Sequence, residues 1–249
     1  GEARHALKRR ENAGAGDSSV KPGQAAGMRA LALSLTILAS PASANDCTLA
    51  LVLAADTSSS IDADEYAAQM DGLAGAFRTE LLRNALLGTP GVHVRATVVH
   101  WSGYRHQEQV VPWTALTGPG IIDDFAAQVE AVPRRHDDQA TALGKGLEFS
   151  ARLLRDQPCD RHIIDLTGDG VNNYGIGPDY FDERGDFAGM TINGLAIRGA
   201  TPDPEPYFRA EVARGPGAFI MVAGGYAEYA EAILEKLLRE ISPRYTMTK

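Results

Sequence analysis

Hydrophobic residues follow two alternating patterns from residue 49 onward, and these patterns predict the secondary structure. Nearly continuous apolar runs, such as Leu49–Ala55, are typical of strands that helices cover on both faces. Between these runs, apolar residues recur every three or four positions, which is the spacing of one helix face. The first helical pattern predicts one uninterrupted helix with this apolar face: Tyr66, Met70, Leu73, Phe77 and Leu81.

Strand and helix patterns alternate along the rest of the chain. The predicted strands cover residues 49–55, 92–101, 109–113, 163–167, 191–197 and 218–222. The predicted helices lie near residues 62–81, 121–132, 142–154, 180–187, 207–212 and 226–241. This alternation is the pattern of an α/β fold. We therefore predict a doubly wound, mostly parallel six-stranded sheet flanked by helices, of the Rossmann-like type.

The first 44 residues differ from the rest and predict export. Met28 and Arg29 precede an apolar stretch over residues 30–39, and an Ala42-x-Ala44 ending follows, which together are typical of a signal peptide. The stretch is too short for a stable membrane anchor. The alternative is a buried helix, which Pro41 disfavours. Residues 1–27 are then an upstream extension or n-region, and 45–249 a single domain that is periplasmic or secreted after cleavage near Ala44.

The charge of the chain limits the classes of partner. The chain has 24 Lys and Arg against 32 Asp and Glu, a net charge of −8, and the excess is larger without residues 1–44. Such an acidic protein is a poor match for nucleic acid or for anionic lipid. The composition, 44% hydrophobic and 22% charged, is ordinary for a globular protein with a buried core.

Both cysteines lie just before predicted strands. Cys47 precedes the run 49–55, and Cys159 precedes the run 163–167. If these are neighbouring parallel strands, both cysteines lie at the same edge of the sheet and are close enough to be bridged. Export to an oxidising compartment favours a Cys47–Cys159 disulfide over two separate free thiols.

Oxygen-bearing side chains collect where the predicted strands end. Asp56, Ser58 and Ser60 follow the first strand, and they point the same way if the backbone stays extended. Thr141 opens a helix after a polar loop, and Asp169 lies between two glycines directly after a strand. All of them belong to the carboxyl edge of the sheet, where ligands bind in parallel α/β folds.

Three of these residues could instead have a purely structural role, without binding a ligand. Ser60 and Thr141 could be helix N-caps, and Asp169 could be the turn residue of Gly-Asp-Gly. Their shared position at one edge favours a common site. Hydroxyls with carboxylates, and without thiolate or imidazole, suit a hard cation, so Mg²⁺ ranks first, Mn²⁺ second and Ca²⁺ third.

The same residues resemble a known motif. Asp56-x-Ser58-x-Ser60, Thr141 and Asp169 resemble the metal-ion-dependent adhesion site of von Willebrand factor A-type domains. The resemblance implies that Ser58, Ser60 and Thr141 are hydroxyl ligands, and that Asp56 and Asp169 bind the metal directly or through water. It covers nearly all of residues 45–249.

A narrower resemblance points to one bacterial family. Residues 164–173 and 215–219 resemble an exported family of A-type-domain proteins of unknown function. That resemblance strengthens the predicted fold and says little about biological role.

Three functional hypotheses follow from the sequence. The first is a non-enzymatic module whose cation captures an acidic side chain of a protein partner. The second is a metal-assisted hydrolase in which Asp56 and Asp169 activate water, with His100 as base. The third is a scaffold that binds no metal. Asp165, a carboxylate inside an apolar strand, either orients groups around the site or is held by backbone amides or a histidine.

Overall fold

A computed structural model describes residues 47–242 of the chain. The predicted extension (1–27) and signal peptide (28–44), with its cleavage site near Ala44, lie outside the described residues. They stay predictions, as does the assignment of 45–249 to one domain.

Six strands form one sheet, as predicted. They are β1 (Leu49–Asp56), β2 (Val94–Trp101), β3 (Gln107–Ala115), β4 (Arg161–Gly168), β5 (Thr191–Ile197) and β6 (Ile220–Ala223). Their spatial order is β3-β2-β1-β4-β5-β6. All neighbours are parallel except β2 and β3. A short connection joins that pair, and a short connection permits only an antiparallel arrangement.

Helices cover both faces of the sheet. They are α1 (Ala63–Arg78), α2 (Glu80–Leu87), α3 (Pro119–Ala131), α4 (Leu143–Arg155), α5 (Pro178–Glu183), α6 (Pro204–Tyr207) and α7 (Tyr229–Ile241). A π-helical turn, Phe208–Val212, follows α6, and a 3₁₀ turn, Tyr226–Glu228, precedes α7.

Strand β1 shows why the predicted central strand is almost wholly apolar. Leu49, Leu51 and Leu53 pack into the core on the side of α1, α3 and α7. Ala50, Val52 and Ala54 pack into a second core on the side of α4. Successive side chains of a strand point to opposite faces, so a strand buried on both faces needs apolar residues throughout.

The first predicted helix is in fact two helices, so that prediction was wrong. Thr79 has an extended backbone (ψ 140°) and ends α1, and its hydroxyl accepts the N–H of Leu82, 3.2 Å away, to begin α2. The chain turns at this cap, so Leu81 leaves the apolar face and is 58% exposed. A Thr that can cap a helix competes locally with helix continuation.

The predictions for Asp165 were also wrong. Lys236 of α7 is fully buried, with its Nζ 2.5 Å from Asp165 Oδ1 and 2.8 Å from Glu240 Oε1. Asn193 donates from Nδ2 to Glu240 Oε1 over 2.8 Å. Burial, followed by the charge of Asp165, raises the pKa of Glu240 to about 8. Asp165 therefore belongs to an ionic cluster that holds α7 on β4 and β5.

The predicted disulfide is present. Cys47 and Cys159 are bonded, with their Cα atoms 4.7 Å apart. They lie at the amino ends of β1 and β4, which are adjacent in the sheet. Within residues 47–242, no helix is both long and apolar enough to cross a membrane.

Candidate metal site

The five predicted site residues lie together at the carboxyl edge of the sheet. Asp56 ends β1, Ser58 and Ser60 lie in the turn that follows, Thr141 precedes α4, and Asp169 follows β4. Strands β1 and β4 are central neighbours, so these three segments converge at one point. We call this group, Asp56, Ser58, Ser60, Thr141 and Asp169, the oxygen cluster.

Hydrogen bonds link the members of the oxygen cluster. Ser60 Oγ donates to Asp169 Oδ1 over 2.7 Å, and Thr141 Oγ1 donates to Ser58 Oγ over 3.2 Å. The hydroxyls of Ser58 and Ser60 are 3.3 Å apart. The backbone N–H of Ser58 donates to Asp56 Oδ1 over 2.8 Å, which keeps this carboxylate beside the hydroxyls.

Helix capping does not explain these hydroxyls. The N-cap of α1 is Asp62, which forms a reciprocal capping box with Glu65. The N-cap of α4 is Ala142, which has no side-chain cap. Ser60 and Thr141 therefore direct their hydroxyls toward the oxygen cluster and not toward a helix terminus.

Both carboxylates of the cluster are buried, and their hydrogen bonds do not fully replace the contacts with water that burial removes. Asp56 is 0% exposed, and its Oδ2 has no hydrogen-bond partner. Burial, and then the negative charge of Asp169, raise the pKa of Asp56 to about 7. Burial is also the main reason why the pKa of Asp169 is raised. A bound cation would favour the ionised form of both groups and give Asp56 Oδ2 a partner.

Two asparagines without a predicted role hold the backbone of Thr141 and of the first turn of α4. Asn173 Oδ1 accepts the N–H of Thr141 over 2.9 Å, and Asn173 N–H donates to the Thr141 carbonyl over 3.0 Å. Asn172 Oδ1 accepts the N–H of Gly144 over 3.2 Å. In the sequence, the position of both asparagines just after the Gly-Asp-Gly turn was the sign that they lie near the site.

Two further polar residues support the turn after β1. Arg134 Nη2 donates to the Ser58 carbonyl over 2.8 Å, and its charge partly opposes the rise in the pKa of Asp56. Gln69 Nε2 donates to the Asp56 carbonyl over 3.0 Å. Neither residue had a sequence signal, because each belongs to a different element of the chain from residue 56.

Gly168 and Tyr226 shape the space around Asp56. A Cβ on Gly168 would lie 3.0 Å from Asp56 Oδ2 and 3.4 Å from Trp101 Cζ2, so a side chain at this position would crowd the carboxylate. The hydroxyl of Tyr226 is buried without a partner, and burial with the charges of Asp169 and Asp56 raises its pKa. The predicted last helix, near residues 226–241, begins at this residue, and the structure has a 3₁₀ turn there.

The structure does not bring His100 to the carboxylates. Val99 and Trp101 pack into the core on the α4 side, so His100, between them on β2, faces the other side and contacts Tyr66 of α1. Asp56 faces the α4 side, near Trp101. Among residues 47–242, no group of three or more His, Cys, Asp or Glu has metal-binding geometry. A cation at this edge would therefore depend on the hydroxyls.

Comparisons with solved structures show the fold. A von Willebrand factor type A protein from Catenulispora acidiphila is 17% identical, with a TM-score of 0.57, over 78% of this chain and 43% of that one. Proximal thread matrix protein 1 from the mussel byssus, solved with a zinc-occupied MIDAS motif, is 17% identical, with a TM-score of 0.52, over 78% of this chain and 48% of that one. The chain thus spans less than half the length of these two proteins.

A pilus adhesin has the same fold, and one family model matches the chain. SpaC from Lactobacillus rhamnosus GG is 15% identical, with a TM-score of 0.57, over 78% of this chain and 30% of that one. The family described as "Protein of unknown function (DUF1194)" matches residues 46–245. No curated protein matches significantly. The matched fold is that of von Willebrand factor A-type domains, as the sequence resemblance implied.

Proposed function

We propose that this chain, a member of the DUF1194 family with a von Willebrand factor A-type fold, is a non-enzymatic, exported protein-binding module. In this proposal the oxygen cluster holds one divalent cation, with Mg²⁺ as first choice. The cation captures an acidic side chain of a protein partner. The observation that carries the proposal is the convergence of three hydroxyls and two buried carboxylates, one with an unpartnered oxygen.

The residues of the cluster suit binding better than catalysis. Ser58, Ser60 and Thr141 are neutral ligands, so a bound cation keeps much of its charge and attracts an anionic group from outside. The chain itself supplies a rigid frame, because Asn173 and Arg134 hold the backbone of Thr141 and Ser58. That frame keeps the hydroxyls in place before the cation and the partner arrive.

Two findings on other proteins support this proposal. The byssus protein has the same fold and is described with zinc in its MIDAS motif, and SpaC is described as a pilus adhesin. A disulfide between Cys47 and Cys159 and the predicted signal peptide support an exported location.

Calorimetric titration of the purified protein with Mg²⁺ and Mn²⁺ tests the metal site. The wild type is expected to bind one cation, and Ser58→Ala/Ser60→Ala is expected to weaken binding at least about tenfold, because two ligands are lost. Ser59→Ala is the matched control, because Ser59 is exposed and lies between the two ligands. Equal affinity in the wild type and the double variant would overturn the proposed site, and absence of binding in the wild type would support a scaffold without metal.

Capture of a partner is tested separately. Immobilised protein is exposed to periplasmic extract with Mg²⁺, washed, and eluted with a chelator. The proposal expects a protein that elutes with chelator from the wild type and from Ser59→Ala but does not bind Ser58→Ala/Ser60→Ala. Retention that is the same with and without the cation would contradict a metal-mediated contact.

A further inference from the structure

A recess lies beside the oxygen cluster. Its volume is about 190 Å³. Residues that line it include Thr57, His100, Arg105, His106, Arg135 and His136, and we call it the histidine recess. Thr57 lies between Asp56 and Ser58, so the recess is next to the cluster in the chain. His100 and Asp56 face opposite sides of the sheet, so the two sites use different side chains.

Basic groups concentrate at this recess although the chain is acidic. Three of the six histidines line it in a protein with a net charge of −8. The rings of His106 and His136 stack, with centroids 4.3 Å apart. His136 has a φ of 58°, the only positive φ of a non-glycine residue in the described part of the chain. This backbone conformation is uncommon for residues other than Gly.

His100 gives an independent sign of a ligand. It is only 5% exposed, and neither of its ring nitrogens has a hydrogen-bond partner. Burial, followed by the charge of Arg135, lowers the pKa of His100 to about 4, so the ring is neutral at pH 7. A neutral imidazole has one donor and one acceptor nitrogen. Buried polar atoms in folded proteins are normally paired, so an unpaired nitrogen of a residue that lines the recess indicates a place for a ligand.

The two arginines of the recess differ in their ion pairs. Glu108 also lines the recess and pairs with Arg135 over 3.0 Å. Asp138 accepts a hydrogen bond from the neutral amide of Gln139 over 2.6 Å, so it keeps its negative charge, but it is exposed to water. Arg105 is exposed and forms no ion pair with any residue between 47 and 242. His106 Nδ1 is buried and also lacks a partner.

We propose that the histidine recess binds a small oxyanion, the phosphate or carboxylate group of a ligand. Arg105 supplies positive charge that no described residue pairs, Arg135 adds a hydrogen-bond donor beside Glu108, and the N–H of His100 donates to an oxygen of the ligand. Phosphate carries more negative charge than acetate at pH 7, and it is therefore expected to bind more tightly beside the two arginines.

Histidine NMR of the full chain tests this proposal without the metal site. The protein is freed of metal with chelator, dialysed into metal-free buffer, and titrated at constant pH and ionic strength with sodium phosphate or sodium acetate. The C–H resonances of His100, His106 and His136 are expected to shift and saturate. His93 and His162 do not line the recess and serve as internal controls. Tighter binding of phosphate would identify a phosphate ligand, and tighter binding of acetate a carboxylate.

Two variants with matched controls complete the test. Arg135→Gln is expected to weaken phosphate binding about tenfold, the effect of one charge-assisted hydrogen bond. Arg152→Gln is its control, because Arg152 is similarly exposed (53% against 58%) and also pairs with a glutamate. His100→Phe keeps an aromatic ring beside Tyr66 and is expected to weaken the binding of phosphate and acetate alike, because the donor nitrogen is lost.

The outcomes separate clearly. Saturable shifts confined to the three recess histidines, weakened by Arg135→Gln and not by Arg152→Gln, would support the proposal. Shifts that do not saturate, that are equal at His93 and His162, or that are unchanged in both test variants would overturn it. Because the protein is metal-free throughout, none of these results depends on whether the oxygen cluster binds a cation.

Discussion

Replacing Asp56 with asparagine should change how the stability of the metal-free protein depends on pH. In the folded protein, burial and the charge of Asp169 raise the pKa of Asp56 from 3.8 to about 7. In the unfolded chain the carboxyl ionises near its ordinary pKa. The folded state therefore holds a proton that the unfolded state has already released between these two values, and the free energy of unfolding falls as the pH rises through that range.

The size of the effect follows from the shift. About two pH units separate pH 5 from the pKa of Asp56 in the folded protein, and each unit is worth about 1.4 kcal/mol. The free energy of unfolding of the wild type should therefore fall by about 3 kcal/mol between pH 5 and pH 8 because of Asp56. The substitution Asp56→Asn removes this ionisation, while the side-chain oxygen that remains can still accept the Ser58 N–H. The variant should therefore become more stable relative to wild type as the pH rises.

Urea unfolding in excess chelator at pH 5, 6, 7 and 8 measures this difference. Asp71→Asn, at an exposed position of α1, is the control and should follow the wild-type pH dependence. Parallel curves for the wild type and Asp56→Asn across this range would refute the argument that Asp56 is a buried, uncompensated carboxyl. Added Mg²⁺ should stabilise the wild type more at pH 8 than at pH 5 if the cation binds the ionised group.

Three other changes probe the frame around the site. Lys236→Met should destabilise the protein by about 3–5 kcal/mol in urea unfolding, because Asp165 and Glu240 stay buried without their cation. Adding Asp165→Leu to this variant should recover part of the lost stability. If no stability is recovered, the ion pair between Lys236 and Asp165 is contradicted. Cys47→Ala/Cys159→Ala should cost about 4–5 kcal/mol, since the bond closes a loop between residues 112 apart, and reducing agent should destabilise only the wild type. Gly168→Ala should cost about 1–3 kcal/mol, because the new methyl meets Asp56 Oδ2. Gly75→Ala, where a Cβ meets nothing within 4 Å, is its control, and equal losses in thermal or urea unfolding would argue against crowding at Asp56.

Local patterns predicted the strands well because burial on both faces leaves a direct mark on a sequence. The apolar run of β1 follows from packing into two cores, and strand order along the chain placed Asp56, Thr141 and Asp169 at one edge. Helix ends were less predictable. Thr79 is an ordinary helix residue by pattern, and only the packing of α1 and α2 shows that it caps both.

The sequence by itself predicted the fold class, the disulfide and the five members of the oxygen cluster, because each depends on local patterns beside a strand end or, for Thr141, a helix start. Tertiary structure alone decided which distant residues support them. Lys236 meets Asp165 from the last helix, Arg134 reaches the Ser58 carbonyl, and His100 turns away from Asp56 into a separate recess. These contacts join segments far apart in the chain, and their geometry depends on how helices pack on the sheet, for which no local pattern exists.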